Sequence, residues 1–325
     1  MAILGIAHTE FHVQDADAAA ERLIHDYGFV ARRRSRGGAE LGLGGISLVL
    51  TEAAPGNRAQ QYVERHGDGV AVIALGCEDP QEDYARAVGS GADVIDAAQR
   101  TVAGFGDVAL SFVEPGAAAH FADFAAGAQP WLVDHVALCV PAGELKDTVR
   151  FCEQALGFAR TFAEYVSVGE QGMDSVVVQS PSNTVTFTLL EPDTDRAPGQ
   201  IDGFLAAHGG PGVQHLALRT GDIACSVRTL AQRGVGFLST PDTYYDALAE
   251  RLGGTDIPVD TLRELNILMD QDHGGRLFQI FTRSTHPRGT FFFELIERRG
   301  AAGFGTANIK ALYEAVERQR SAANG

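Results

Sequence analysis

Three residues of metal-binding type interrupt apolar strand patterns in the second half of the chain. His135 lies in Asp-His-Val-Ala-Leu, His215 in Gln-His-Leu-Ala-Leu, and Glu294 in Phe-Phe-Glu-Leu-Ile. Because side chains alternate along a strand, each histidine shares a face with a small alanine two residues further on. A carboxylate buried in such a strand without a partner would cost at least several kcal/mol. A bound metal ion would remove that cost.

Two neutral imidazoles and one carboxylate form the donor set of a facial triad. Such a triad leaves three adjacent positions open on an octahedral ion, which is typical of non-heme iron(II) oxygenases. A single strand histidine is more often a hydrogen-bonded core residue, and a single strand glutamate often faces solvent. The metal is favoured here because all three residues fall at matching places of an internal repeat. We therefore predict that His135, His215 and Glu294 bind Fe(II) and are the catalytic residues.

The repeat supplies the elements that must position these side chains. Three segments of the first half recur in the second half, in the same order. The pairs are 6–29 with 133–158, 69–75 with 212–218, and 110–114 with 293–297. In the first pair, a strand with a histidine near its start leads into a helical stretch and a Gly-Phe turn. Each half is therefore predicted to contain repeated βαβββ modules of mixed α+β order.

The first half provides an internal control for the metal prediction. Its positions that correspond to His135, His215 and Glu294 are His8, Val72 and, approximately, Ser111. Only one of three potential ligands is present, so this half is predicted to hold no catalytic metal. His8 is then interpreted as a core or interface histidine.

Length and local composition predict two domains. The chain has 325 residues, more than the usual size of one domain. Hydrophobic alternation lapses in the Ala/Gly-rich stretch 116–130, which reads as a linker. We expect an N-terminal domain without catalytic metal at 1–126, and a catalytic domain with a C-terminal helix at 127–325.

Charge and cysteine usage exclude several classes of protein. The formal net charge of −16 argues against a nucleic-acid partner, and the short basic run 32–36 is interpreted as a solvated strand end or loop. Four scattered cysteines form no Cys-x-x-Cys pair, as expected for reduced structural thiols. No apolar run approaches the roughly 18–20 residues that cross a bilayer. A cytoplasmic protein without a membrane partner is expected.

Longer motifs place the chain near a known family. The repeated modules resemble the vicinal-oxygen-chelate superfamily, in which paired modules form an open barrel around a metal. The stretches 212–218, 272–282, 292–298 and 303–312 resemble the 4-hydroxyphenylpyruvate dioxygenase family. The resemblance covers nearly the whole chain and is strongest over about 133–317. It implies an α+β fold with two vicinal-oxygen-chelate domains, each an open barrel of βαβββ modules, and a C-terminal lid helix.

The resemblance also implies ligands and a substrate pocket. It places Fe(II) on the three residues above and predicts 4-hydroxyphenylpyruvate and O2 as small-molecule partners, with a homodimer as the candidate assembly. The polar substrate-site residues it implies are Ser175, Gln200, Gln214 and Gln279. The aromatic walls it implies are Phe281, Phe292 and Phe304, and the lid helix would begin near Asn308. Alternatively, Gln200 is a solvent-exposed loop residue and the phenylalanines are simply core.

Three positions depart from the dioxygenase pattern in this pocket. Thr188 stands where those enzymes typically have proline, Leu190 where they have asparagine, and Ile309 where they have phenylalanine. These changes resemble the mandelate synthases of the family, so benzylic hydroxylation to 4-hydroxymandelate with loss of CO2 is the expected reaction. Ring attack giving homogentisate is the alternative. A catalytically inert binding module of the same fold is a third hypothesis, and the intact triad argues against it.

Overall fold

Two eight-stranded mixed sheets form the framework of the protein. The computed structural model describes residues 2–115, 131–248, 254–305, 308 and 310. The first sheet contains β1 (Ile3–Val13), β2 (Val30–Ser35), β3 (Gly38–Leu43), β4 (Ile46–Glu52), β5 (Gly69–Cys77), β6 (Val94–Asp96), β7 (Thr101–Phe105) and β8 (Val108–Val113). Its helices are α1 (Ala16–Arg22), which continues into a π-turn at Leu23–Tyr27, α2 (Arg58–His66) and α3 (Pro80–Gly89).

The second sheet repeats this arrangement. It contains β9 (Leu132–Cys139), β10 (Ala159–Val168), β11 (Gln171–Gln179), β12 (Thr186–Pro192), β13 (Gly212–Arg219), β14 (Leu268–Gln271), β15 (Arg276–Phe281) and β16 (Phe292–Arg299). Its helices are α4 (Leu145–Ala155), α5 (Gln200–His208), α6 (Ile223–Gln232), α7 (Asp242–Asp246) and α8 (Val259–Glu264).

Strand order confirms the predicted modules. The first sheet runs β2-β3-β4-β1-β5-β8-β7-β6, and the second runs β10-β11-β12-β9-β13-β16-β15-β14. In each sheet the two central strands are antiparallel, and each pairs in parallel with the last strand of its own module. The predicted α+β fold of repeated βαβββ modules is therefore present in both halves.

Strand register confirms the match between the halves that the sequence suggested. His8 lies opposite Ala74, and Ala74 lies opposite Ser111. In the second sheet, His135 and Glu294 both lie opposite Ala217. Position 72 is two residues before Ala74, as position 215 is two residues before Ala217. The three potential ligands therefore occupy the same sites in the second sheet that His8, Val72 and Ser111 occupy in the first.

In the second sheet, glutamates on the last strand of each module tie the module together at the start of its helix. Glu191 Oε1 accepts a hydrogen bond from the backbone N–H of Leu145 at 2.9 Å, and Glu297 Oε2 accepts one from Ile223 at 2.8 Å. Backbone N–H groups in the first turn of a helix have no partner within the helix, so these contacts satisfy donors that burial would otherwise leave unpaired. They fix the angle at which each helix leaves its sheet.

An aromatic and histidine cluster joins the two halves. His66 at the end of α2 donates from Nδ1 to the carbonyl oxygen of His208 at the end of α5, at 2.8 Å. The two imidazole rings stack with centroids 4.2 Å apart, and Tyr62 Oη lies 3.4 Å from His208 Nε2. Burial, with a smaller contribution from the neighbouring His66, lowers the pKa of His208 to about 4. His208 is therefore neutral in the folded protein near neutral pH.

Acidification should weaken this junction. Because the unfolded chain takes up a proton near the ordinary histidine pKa of about 6.5 while folded His208 does not, the free energy of unfolding should fall as pH decreases from about 6.5 to 4. The loss attributable to His208 is at most about 3 kcal/mol. Urea unfolding at pH 7.5 and 5 should show a smaller pH effect in His208→Gln than in the unsubstituted protein. An equal pH effect in both would contradict this assignment.

Several sequence predictions concern other parts of the chain. The linker 116–130, with the domain boundary between 126 and 127, lies outside the described residues. So does the C-terminal helix beyond Asn308, apart from Lys310, and so does Ile309. No helix within the described residues combines the length and apolar character that a membrane span requires.

Candidate metal centre

The three predicted ligands meet on adjacent strands of the second sheet. His135 is on β9, His215 on β13 and Glu294 on β16, and these strands are neighbours. Ala217 on the middle strand lies opposite both His135 and Glu294. Because alanine has no side chain beyond Cβ, it leaves room for the imidazole and the carboxylate to converge from either side. Ala217, which shares a face with His215, is thus part of the site's geometry.

The donor atoms converge on one point. His135 Nε2 lies 3.3 Å and His215 Nε2 lies 3.4 Å from Glu294 Oε2. One ligand atom from each residue lies within 4.8 Å of the others, and all three side chains are buried. Two imidazole nitrogens and one carboxylate oxygen at this spacing form a group that could hold a divalent metal ion.

The second ring nitrogen of each histidine has its own partner. His135 Nδ1 lies 3.0 Å from Asp134 Oδ1, and His215 Nδ1 lies 3.3 Å from Gln214 Oε1. Donation from Nδ1 to these oxygens selects the tautomer whose Nε2 lone pair is available to a metal. Both partners are the extra residues of β-bulges, at 133–135 in β9 and 213–215 in β13. A bulge re-aims a side chain that strict alternation would point away from the ligands.

A chain of side-chain amides fixes the carboxylate ligand. Gln279 donates from Nε2 to Glu294 Oε1 at 2.7 Å, which leaves Oε2 directed at the histidines. Asn308 donates from Nδ2 to Gln279 Oε1 at 2.8 Å, and Tyr244 donates its hydroxyl to Asn308 Oδ1 at 2.8 Å. Gly305 passes so close that an added Cβ would lie 2.6 Å from Gln279 Oε1. Gly305 is therefore packed directly against this network.

Aromatic rings enclose the ligands. Phe292 stacks on the His215 imidazole with centroids 4.9 Å apart, and Phe281 meets the same imidazole edge-on at 6.3 Å. Phe304 contacts the His135 ring edge-on at 5.4 Å. The three predicted aromatic residues thus lie at the donor set, where they limit imidazole rotation and access of water.

The electrostatics of the group suit a cation. Burial alone would raise the pKa of Glu294, but the two histidines bring it down to about 2. Burial alone would lower the pKa of His135, but Glu294 and Asp134 raise it to about 9. The buried carboxylate thus stays ionised by holding positive charge at the His135 imidazole, whereas burial lowers the pKa of His215. A divalent cation bound at the same point would satisfy all three groups and replace that proton.

The remaining predicted pocket residues line the wall beside His135. Thr188 on β12 pairs with Ala137, and Leu190 pairs with Cys139, so both share the face that carries His135. Ser175 on β11 lies opposite Leu190 and is buried. Thr188 Oγ1 is buried without a hydrogen-bond partner among the described residues. An orphaned buried hydroxyl of this kind is an available contact for a polar ligand group.

Gln200 and Gln214 also prove to be buried. Gln200 is the first residue of α5, and its exposed fraction is 7%. The alternative interpretation as a solvent-exposed loop residue is therefore wrong. In this structure Gln214 faces His215 from its bulge. Sequence reasoning did not identify Asp134, Arg298 and Tyr244 as members of the site, although an acidic residue directly before a ligand histidine was a signal for Asp134.

The corresponding place in the first sheet lacks the donors. Ser111 Oγ lies 2.7 Å from Thr101 Oγ1, and Val72 occupies the position of the second histidine. His8 is half-buried, and burial lowers its pKa. Within the described ranges, no group of three close potential ligands was found besides the one in the second sheet.

Comparison with known proteins gives one consistent family. The Glyoxalase/Bleomycin resistance protein/Dioxygenase superfamily matches residues 134–249. A 4-hydroxyphenylpyruvate dioxygenase from Danio rerio is 31% identical over 98% of this chain and 91% of its own length. One from Dictyostelium discoideum is 30% identical over 97% of this chain and 98% of its own length.

A solved structure extends the likeness to the whole architecture. A triple mutant of 4-hydroxymandelate synthase from Streptomyces coelicolor superposes with a TM-score of 0.88 at 44% identity, covering 97% of this chain and 99% of that chain. Likeness of this extent agrees with the repeated modules and with the matched ligand positions described above. The chain therefore belongs to the 4-hydroxyphenylpyruvate dioxygenase family.

Proposed function

We propose that this protein is an iron(II)-dependent enzyme that converts 4-hydroxyphenylpyruvate and O2 into 4-hydroxymandelate and CO2. The convergence of His135, His215 and Glu294 on one point carries the assignment to oxygenase chemistry. Identity of 44% to 4-hydroxymandelate synthase over nearly the full chain supports this product, since the dioxygenases compared above are 30–31% identical.

Charge balance favours an anionic, chelating substrate. The two neutral imidazoles and the Glu294 carboxylate carry one negative charge, so a divalent ion held by them leaves one positive charge at a buried site. A 2-oxo acid brings a carboxylate that neutralises this charge and a keto oxygen beside it. Bound iron(II) would supply the redox chemistry by which O2 is reduced as the 2-oxo acid loses CO2.

The protein's own residues hold and orient the organic substrate. Phe281, Phe292 and Phe304 surround the ligands with apolar surface suited to an aromatic ring. On the β12 side of His135, Thr188 offers an unpartnered hydroxyl, and Ser175 on the neighbouring β11 offers a buried one. Apolar contacts to the ring together with polar contacts to its substituents would fix the ring relative to the donor set.

Exclusion of water is the second contribution of the fold. The exposed fractions of His135, His215 and Glu294 are 3%, 6% and 1%. Hydroxylation at a specific carbon requires that reactive species meet the substrate before they meet water or reductant. The packed aromatic side chains around the donor set provide this protection.

Product identification tests the proposal directly. The protein, supplied with iron(II), ascorbate, O2 and 4-hydroxyphenylpyruvate, should consume O2 and release CO2. Since 4-hydroxymandelate and homogentisate are isomers, the product should be assigned by NMR: a benzylic CH–OH and a para-substituted ring for the former, a side-chain CH2 and a trisubstituted ring for the latter. Homogentisate would refute the product assignment, and absence of O2 consumption would favour an inert binding module.

A further inference from the structure

A mostly buried ion pair lies behind one of the two histidines. Arg298 on β16 donates from Nε to Asp134 Oδ2 and from a terminal nitrogen to Asp134 Oδ1, both at 2.8 Å. The side chains of Asp134 and Arg298 are 7% and 12% exposed. The pair spans β13, because β9 and β16 lie on either side of that strand. It therefore connects the strands that carry His135 and Glu294.

Asp134 uses one oxygen for two donors. Its Oδ1 accepts from Arg298 and also lies 3.0 Å from His135 Nδ1. A carboxylate behind a metal-binding imidazole fixes the ring and strengthens the opposite nitrogen as a donor. Because Arg298 holds both carboxylate oxygens, the carboxylate cannot rotate away from His135 without breaking two charged hydrogen bonds. His215 has only the neutral amide of Gln214 in the same place, at 3.3 Å.

Arg298 also holds the segment that closes over this side of the site. Its second terminal nitrogen donates to the carbonyl oxygen of Gly303 at 2.6 Å, and its guanidinium lies 5.0 Å from the centroid of the Phe304 ring. Phe304 in turn contacts the His135 imidazole. From outside, Asp272 Oδ2 accepts the backbone N–H groups of Ala302 and Gly303 at 2.8 and 2.6 Å. The segment 301–304 is thus held in place by the charged side chains of Arg298 on one side and Asp272 on the other.

The first sheet shows what the fold needs without a metal. Its bulge at the corresponding place is retained, but the extra residue there is Ala7 instead of an aspartate. The position four residues after Ser111, equivalent to Arg298, is Pro115. The barrel therefore forms without either charge. Buried ion pairs add little stability over apolar packing, so a purely structural reason for this one is weak. Both charges are present in the sheet that carries the three predicted ligands, and both are absent from the corresponding positions of the other sheet.

We propose that Asp134 and Arg298 are a positioning pair that orients His135 toward the metal and couples that ligand to the placement of segment 301–304. The proposal rests on the proposed function, because the ligand set is that of the oxygenase site. Neither residue contacts the reacting atoms. Their effect on the reaction passes through the His135 imidazole and the Phe304 ring.

Metal binding by the full-length chain tests the pair with a readout other than turnover. Cobalt(II) is the probe, titrated into metal-free protein and followed by its visible absorption. Asp134→Asn should weaken cobalt affinity by about 10- to 100-fold and change the spectrum. Arg263→Gln, which breaks the exposed contact of Arg263 with Asp246 (2.7 Å), is the control and should bind like the unsubstituted protein.

A double variant separates positioning from simple charge balance. Removing one partner alone leaves a buried charge and can unfold the protein, so Asp134→Asn is combined with Arg298→Gln to remove both charges together. The folded double variant should still bind cobalt weakly, and hydrogen exchange at 301–304 should be faster. Cobalt affinity and exchange equal to the unsubstituted protein would overturn the positioning role. If the unsubstituted protein binds cobalt no more tightly than Glu294→Ala does, the metal site itself is overturned, and this inference with it.

Discussion

Replacing Glu294 with alanine should leave a folded protein that neither retains iron nor turns over substrate. Glu294 supplies the one charged donor, and both histidine Nε2 atoms lie 3.3–3.4 Å from its Oε2. Loss of that donor should reduce turnover by at least about a thousandfold, which corresponds to about 4 kcal/mol of transition-state stabilisation. His135→Ala and His215→Ala should have the same effect, since each removes one of three ligands. Iron content and O2 uptake are the measurements.

The first sheet offers a matched control for these variants. His8 occupies the position equivalent to His135. Each of the two histidines lies opposite an alanine of the neighbouring strand, Ala74 for His8 and Ala217 for His135. His8→Ala should keep its iron and its turnover, because Val72 and Ser111 cannot complete a triad there. Loss of iron in His8→Ala, or normal turnover in Glu294→Ala, would show that the metal is not where we place it.

Removal of the carboxylate should not unfold the barrel. Burial of Glu294 is tolerated only because the histidines and Gln279 contact it. Without it, the largest cause of the raised pKa of His135 is removed. The remaining apolar residues of β16 still pack against β13 and β15. Circular dichroism and thermal unfolding should therefore separate loss of metal from loss of fold.

Sequence periodicity together with the internal repeat predicted the three residues that the structure brings together as a possible metal-binding group. Each lies in a strand where one polar residue breaks an apolar run, and the repeat supplied an independent alignment of the two halves. The register of β1, β5 and β8 reproduces that alignment at His8, Ala74 and Ser111. The equivalence follows from topology, because a module that folds the same way twice must place corresponding residues at corresponding points of the sheet.

Periodicity could not find the residues that hold the ligands. Strict alternation puts Asp134 and Gln214 on the face opposite the histidines that follow them. The bulges turn both toward Nδ1, and a bulge depends on the pairing of two strands, which is not visible in either strand alone. The Arg298–Asp134 contact joins strands that are not neighbours, and Tyr244 reaches Asn308 across 64 residues of sequence. Such contacts exist only once the barrel has closed.

The second prediction of large effect concerns which carbon is hydroxylated. Formation of 4-hydroxymandelate and of homogentisate begins with the same loss of CO2, so the ligand set cannot choose between them. The choice must come from how the ring is held, and a displacement of about an angstrom can redirect reactivity. Thr188 and Leu190 lie two residues apart on β12, on the wall beside His135. In the proposed reaction, side chains on this wall would set the tilt of the ring.

Leu190→Asn, Thr188→Pro and Ile309→Phe together should shift part of the product from 4-hydroxymandelate toward ring-hydroxylated species. Asparagine at 190 would add an amide opposite Ser175, where the present side chain packs in an apolar cluster with Ala137 and Cys139. That amide gives the ring's polar substituent a new hydrogen-bonding partner and draws the ring across the wall. Effects of substitutions that act on one bound substrate need not add, so each single variant should be measured as well.

Thr188 requires a control of its own, because β12 is hydrogen-bonded on both sides and proline removes a backbone donor there. Thr188→Val keeps the backbone and the shape of the side chain but removes the orphaned hydroxyl. If that hydroxyl contacts the substrate, Thr188→Val should raise KM or change the product ratio while the protein remains as stable as before. Unchanged kinetics in Thr188→Val together with an unchanged product in the triple variant would show that this wall does not direct the reaction. Homogentisate as the main product of the unsubstituted protein would instead show that Leu190 and Thr188 are compatible with ring attack, and the ring would then have to be held by contacts outside β12.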